Sequence, residues 1–461
     1  MWHLAFSSWH LAALLLTVIS MVMGAAAYYF ANDEHHGSST TSALDEHPDE
    51  SNDALNQGDS GPKTCQGDDD EPKQTDEERM LNEIEKQRAL IGTSPVDSFQ
   101  EMIRRFPHQK KLGQLEFKCH ILVEKRRLAE ELSKFEKEFG TLYSEPCLLC
   151  LDNIHVHATA RLKSSFYCCG GFICKTCTLG IGESELGFGG KCPLCREPIV
   201  YNMTTAIQAA RLIALAERGV SWAQTSAGVG MIHGYEGFEQ REKTGLQWLK
   251  KAATENFPGA LYCLSDLYRD GLPSLLRRSQ EKANELLKRA ANLGFSRANS
   301  ELALYYFTGG INGFEKDHSE AYFRASVSLA LDESNPQASM VLGSLNYEGH
   351  VDIIPERSPY LACYYLNISA TANEDRSRSS CFLYSQLLKI LSEYLHGDCI
   401  EIPEFNVMPA VFFWLRKSRD MGYVNAFNVL KEWESLGQRR CGHCRKEAQS
   451  GEKFKQCSKC K

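Results

Sequence analysis

Twelve of the chain's 18 cysteines fall in two short tracts, Cys147 to Cys195 and Cys441 to Cys460, largely as Cys-x-x-Cys pairs. This spacing lets two thiolates of one backbone knuckle meet a single ion at tetrahedral geometry, which is the chemistry of a structural zinc site. The other six, Cys65, Cys119, Cys263, Cys363, Cys381 and Cys399, are isolated. A disulfide framework would need partners for them and an oxidising compartment, so the pattern points to zinc sites plus a few core thiols.

The central tract runs Cys147-Leu-Leu-Cys150, Cys168-Cys169, Cys174-Lys-Thr-Cys177 and Cys192-Pro-Leu-Cys195-Arg196. Four ligand pairs on so short a segment can hold two zinc ions, and the metals can replace the apolar core that it lacks. The tract resembles a RING finger over Cys147 to Cys195. That resemblance implies interleaved pairs, the first with the third on one zinc and the second with the fourth on the other. It also implies a shallow groove for a ubiquitin-conjugating enzyme, formed at Leu149 and at Pro193 of the Cys-Pro-x-Cys knuckle. Arg196 then stands where ubiquitin-ligase RINGs carry a cation that bonds both the conjugating enzyme and its ubiquitin, a task suited to five planar donors with a permanent charge.

One position departs from the family pattern. In Cys169-Gly170-Gly171-Phe-Ile-Cys174 a glycine stands where the family usually has histidine. Cys168 would restore eight ligands, but adjacent side chains diverge unless the backbone bends, which Gly170 and Gly171 permit. His155 or His157 is the alternative ligand.

At the C-terminus, Cys441-Gly-His-Cys444 and Cys457-Ser-Lys-Cys460 resemble the opening half of a MYND zinc finger (441–461). As they stand, the four thiols could close one zinc-ribbon-like site or belong to a longer finger.

The elements that would carry these sites are mainly helical. Ala, Leu at +4, a small residue at +5, Tyr at +8 and Gly at +11 recur as Ala260/Leu264/Ser265/Tyr268/Gly271 and Ala298/Leu302/Ala303/Tyr306/Gly309. Looser copies begin at Ala223, Ala338 and Ala426, and second helices recur as Trp248-Leu-Lys-Lys-Ala252-Ala253 and Lys282-Ala283-x-x-Leu286-x-x-Arg289-Ala290-Ala291. A period near 38 residues signals a helical solenoid rather than an ordinary helical domain. The region resembles Sel-1-like repeats, relatives of the tetratricopeptide class, over about 203–437. The resemblance implies a stacked superhelix with a concave surface for a protein substrate or adaptor.

Between tether and zinc module, residues 79–140 read as helical, interrupted at Ser94-Pro95 and Phe106-Pro107. Ile121, Leu128 and Phe135 recur every seven residues, with Leu132 and Phe139 filling a second position. Such a stripe either forms a short coiled coil, and hence a homodimer, or packs against the next domain.

The first 31 residues contain Leu11 to Ala31, 21 residues without a charge, long enough to span a bilayer as an anchor or to serve as a signal peptide (1–31). We expect a single-pass endomembrane location with a cytosolic body, or a secretory signal as the alternative. Residues 32–78 hold 15 acids against Lys63 and Lys73 and read as a disordered acidic linker. They account for the chain's net charge of −8 and leave the rest mildly basic, with no block suggesting nucleic-acid binding. No Ser/His/carboxylate constellation or phosphate loop points to a hydrolase or nucleotide enzyme. The leading expectation is a RING-type ubiquitin-protein ligase at 145–200 served by the repeats, and the alternative is a non-catalytic zinc-binding scaffold.

Overall fold

The computed structural model describes residues 76–92, 99–155, 163–182, 190–199, 203–235, 237–349, 358–372, 377–396 and 408–439. The hydrophobic segment 11–31, nearly all of the acidic linker, His157 and the C-terminal Cys441, Cys444, Cys457 and Cys460 lie outside these residues. Among the described residues, no helix is long and apolar enough to cross a membrane.

The described residues divide into two compact units, one reaching Cys119 and including 391–396, the other running from His120 to Ile390 and resuming at Met408. In the first, α1 (Asp76–Ile91) lies along the opening part of α2 (Phe99–Phe139). Arg88 pairs with Glu116 at 2.8 Å, and His108 Nδ1 meets the Gln87 amide oxygen at 2.9 Å. Contrary to the sequence expectation, α2 continues through Pro107 without a break. Proline removes one main-chain donor and crowds the carbonyl four residues back, a penalty of about 3 kcal/mol. The other hydrogen bonds of a 41-residue helix can absorb that.

In the second unit the rest of α2 meets the repeats. Leu128 and Phe135 are buried, Leu128 beside Ala321, Ala325 and Leu329, and Phe135 beside Val327 and Leu331. Of the two readings of the heptad stripe, the structure therefore shows the intramolecular one: Leu128 and Phe135 pack on the chain's own repeats.

A small cysteine-rich module follows. Strand β1 (Ser144–Pro146) pairs antiparallel with β2 (Asn153–His155), and β3 (Lys163–Ser165) with β4 (Phe172–Cys174), the latter leading directly into α3 (Lys175–Gly182). Three-residue strands cannot carry a domain of their own.

The repeats begin with α4 (Thr205–Glu217) and continue as α5 (Ser221–His233), α6 (Glu242–Thr254), α7 (Pro258–Asp270), α8 (Gln280–Asn292), α9 (Ser296–Thr308), α10 (His318–Leu331), α11 (Pro336–Glu348) and α12 (Pro359–Thr371). They close with α13 (Arg378–His396), α14 (Met408–Asp420) and α15 (Val424–Arg439). Helices pair as α5 with α6, α7 with α8, α9 with α10 and α11 with α12, and each pair also packs on the next. This is a helical-repeat solenoid.

Its local causes recur with the period. The Ser279 and Asp317 side chains accept backbone N–H groups at the starts of α8 and α10, while proline opens α7, α11 and α12. The glycine closing each first helix has positive φ, 80° at Gly271 and 67° at Gly309, so the chain turns without a Cβ clash. Beyond it, Ser279 N–H donates to Tyr268 O at 2.8 Å and Asp317 N–H to Tyr306 O at 2.9 Å. Ala260, Ala298 and Ala338 are fully buried, which lets neighbouring helices approach closely.

Candidate metal centre

Each zinc-type knuckle is built by its backbone. Leu151 N–H donates to Cys147 O at 3.1 Å and Cys147 N–H to Asp152 O at 2.9 Å. The last knuckle repeats this, with Arg196 N–H on Cys192 O at 3.0 Å and Cys192 N–H on Glu197 O at 2.7 Å. The residue after the second cysteine is left-handed in both, φ 63° at Leu151 and 62° at Arg196. Non-glycine residues seldom adopt this conformation, so two instances at equivalent positions mark the same tight turn.

The sulfurs form two groups. Those of Cys147, Cys150, Cys174 and Cys177 lie within 4.8 Å of one another, as do those of Cys168, Cys169, Cys192 and Cys195. Four sulfurs about 2.3 Å from a central ion in a tetrahedron stand about 3.8 Å apart. Cys150 Sγ lies 3.8 Å from Cys174 Sγ, and Cys169 Sγ lies 3.6 Å from Cys192 Sγ. All are free thiols. Both clusters therefore have the shape to hold a metal ion, and their four-sulfur donor sets fit zinc. The pairs interleave, first with third and second with fourth, and Cys168 sits beside Cys169 in the second cluster. His155 belongs to neither.

The local field favours thiolate at one cysteine of each cluster. Burial works against ionisation of Cys147, but main-chain N–H donors of Cys150, Cys174 and Leu149 outweigh it and bring the thiol down to about 6. At Cys192 burial is likewise overcome, by the N–H groups of Cys195 and Leu194, which set it at about 7. Cys168 moves the other way, pushed up by burial and by the adjacent Cys195 and Cys192 sulfurs. A bound cation would relieve that repulsion.

Of the residues expected to meet a conjugating enzyme, Leu149 is exposed, Pro193 is half-buried and Arg196 is exposed. Leu151, Leu179 and Leu194 are also exposed, at 74%, 57% and 61%, which is unusual for leucines on a module with so little core.

Sequence reasoning did not find the residues that hold this module to the repeats. Tyr143 N–H donates to Leu293 O at 3.1 Å, and its ring meets Phe257 edge-on. At the second cluster, Trp222 Nε1 donates to Gly170 O at 2.8 Å and Arg218 Nη1 to Cys168 O at 3.2 Å. Gln208 Nε2 donates to the Tyr167 hydroxyl at 2.8 Å, and the Tyr167 ring stands edge-on to Trp222. Spacing gives no hint of these contacts, although Trp222 directly precedes Ala223, where the first repeat copy begins.

No family model matches the chain. Among solved structures, it is similar to a Sel1 repeat protein from Oxalobacter formigenes, with 21% identity and a TM-score of 0.35 over 46% of this chain and 76% of that one. It is also similar to c5321, a protective antigen of uropathogenic Escherichia coli strains displaying an SLR fold, with 18% identity and a TM-score of 0.34 over 51% and 53%. A sel1 repeat protein from Klebsiella pneumoniae gives 16% identity and a TM-score of 0.30 over 50% and 99%.

Proposed function

We propose that the chain is a zinc-dependent, RING-type ubiquitin-protein ligase whose Sel-1-like repeats recruit a protein substrate or adaptor. The observation that carries this reading is the interleaving of two four-thiol clusters beneath exposed Leu149 and Arg196. A stable four-sulfur zinc site needs neither of those surface residues, whereas docking of a conjugating enzyme needs both an apolar contact and a cation.

The module would supply position rather than a nucleophile. A substrate lysine amine attacks the thioester carbonyl carbon of the loaded conjugating enzyme. The C–S bond breaks, an amide forms, the thiolate leaves on the conjugating enzyme and the amine proton passes to solvent. Zinc, when bound, supplies structural rigidity, and Arg196 donates hydrogen bonds that hold the thioester in an attackable conformation. The hydrophobic segment 11–31 would place this activity at a membrane.

The test is autoubiquitination by the full chain across a panel of conjugating enzymes, with Arg196→Ala alongside. Chains that form with the wild type, and fall at least tenfold with Arg196→Ala, support the ligase. Zinc-loaded protein that forms none with any conjugating enzyme assigns the chain instead as a zinc-stabilised scaffold, a reading favoured by the close seating of the second cluster on the repeats.

A further inference from the structure

The second cluster poses a local problem that the first does not. Cys168 and Cys169 are neighbours in sequence, and neighbouring side chains in extended backbone point apart. Here both sulfurs face Cys192 and Cys195. The backbone manages this by turning sharply. Gly170 N–H returns to Phe166 O at 2.8 Å, and Gly170 has φ 86°.

The outward carbonyls of this turn are bonded by donors from the repeats. Arg218, just past the end of α4, bonds the Cys168 carbonyl, and Trp222, in the first turn of α5, bonds the Gly170 carbonyl. Val220 closes the third side. A Cβ on Gly170 would lie 3.0 Å from Val220 Cγ2 and 3.1 Å from Cγ1. Around this clamp, the rings of Tyr167 and Phe172 pack on the Trp222 indole at centroid distances of 5.7 and 5.8 Å.

We propose that the α4–α5 corner of the solenoid is a working part of the second metal centre, with Trp222 and Arg218 as positioning residues that bring the adjacent Cys168 and Cys169 thiolates onto one ion. This rests on reading the cluster as a metal site. Groups that orient metal ligands from behind typically contribute 10–100-fold in metal affinity. Coupling is reciprocal, so an ion in the cluster must in turn steady α4 and α5. The first cluster is built by its own knuckles and by α3, without adjacent cysteines to bend together, so this dependence is expected of the second cluster.

The experiment uses the full chain loaded with zinc and titrated with a competing chelator, with mass spectrometry of alkylated cysteines showing which cluster opens. Trp222→Phe keeps an aromatic ring, though a smaller one than the indole, and removes the donor. We expect Cys168, Cys169, Cys192 and Cys195 to open at roughly 10–100-fold lower chelator, while Cys147, Cys150, Cys174 and Cys177 stay closed as in the wild type. Arg218 is exposed, so Arg218→Ala tests the same clamp without disturbing the core, and Arg218→Lys should restore part of the loss. Hydrogen exchange provides a readout that merely structural packing would not move: zinc should slow exchange across 205–233 in the wild type and do so less in Trp222→Phe.

If the Trp222→Phe/Arg218→Ala double variant holds zinc at both clusters against the same chelator as the wild type, the proposal fails and the metal reading stands. If zinc never protects the second-cluster cysteines of the wild type, the metal reading of that cluster fails and takes this proposal with it.

Discussion

The Arg127 guanidinium lies over the ring of Tyr322, 4.5 Å from its centroid, and so joins α2 to α10 in the repeats. Arg127 also bonds Ser326 Oγ at 3.1 Å and pairs with Glu124 at 2.6 Å, while the Tyr365 hydroxyl donates to the same carboxylate. Burial disfavours the arginine's charge, but the Glu124 carboxylate outweighs this and holds its pKa above the ordinary value. Replacing Glu124 alone should therefore be costly, because it leaves a largely buried cation without its counter-ion and a phenol without its acceptor. Glu124→Leu is expected to lose roughly 3 kcal/mol in urea unfolding, and Glu124→Leu/Arg127→Met to lose less than that single change. A single variant within roughly 0.5 kcal/mol of wild type would refute the network.

Phe135 is fully buried, and the Arg324 guanidinium sits 5.7 Å from its ring centroid. Truncation removes a large apolar contact between α2 and the repeats, so Phe135→Ala should cost about 3–5 kcal/mol. Because the contact is within one chain, sedimentation should give the same molar mass for variant and wild type. A wild-type dimer that Phe135→Ala dissociates would return the heptad stripe to an intermolecular role.

Gly228 and Gly245 set the closeness of α5 and α6. A Cβ on Gly245 would fall 2.5 Å from Gly228 O, which is backbone and cannot swing aside. Alanine in a helix interior gains about 1 kcal/mol of propensity over glycine, yet forcing packed backbones apart costs about 1–3 kcal/mol. We expect Gly245→Ala to lower the melting temperature, followed by circular dichroism; a rise would show that the helices separate freely.

These contacts mark where sequence reasoning stops. The Ala260 and Ala298 copies were legible because a buried small residue at fixed helical spacing recurs in register with a glycine turn. The cysteine pairs were legible because a knuckle is local. The destination of the Leu128/Phe135 stripe was not, since the partners of α2 lie about 200 residues downstream and heptad spacing suits a self-pairing helix as well as an intramolecular one. Helix continuity through Pro107 was hidden for another reason: local preference is overridden when a long helix is anchored on both sides. The Trp222 clamp leaves no pattern at all, being one indole on one carbonyl.

The isolated thiols of the repeats give a pH-dependent test. Cys363 and Cys381 are buried, and Cys381 Sγ donates to Ala370 O at 3.5 Å. Burial pushes the Cys363 thiol up, and raises Cys381 to about 11 against the opposing pull of Lys417. An unfolded cysteine ionises near about 8.5. The folded state thus holds these protons more tightly, so their contribution to stability is fully present below about 8.5 and falls as pH rises toward 11. At pH 8 neither thiol should react with iodoacetamide in the native protein, and both should react in urea. Between pH 9 and 11 the urea midpoint should fall for the wild type and fall less for Cys363→Ala/Cys381→Ala, whose own lower starting stability is read from the same curves at pH 7. Equal pH slopes for the two proteins would show that these thiols ionise alike in both states and are less enclosed than α12 and α13 place them.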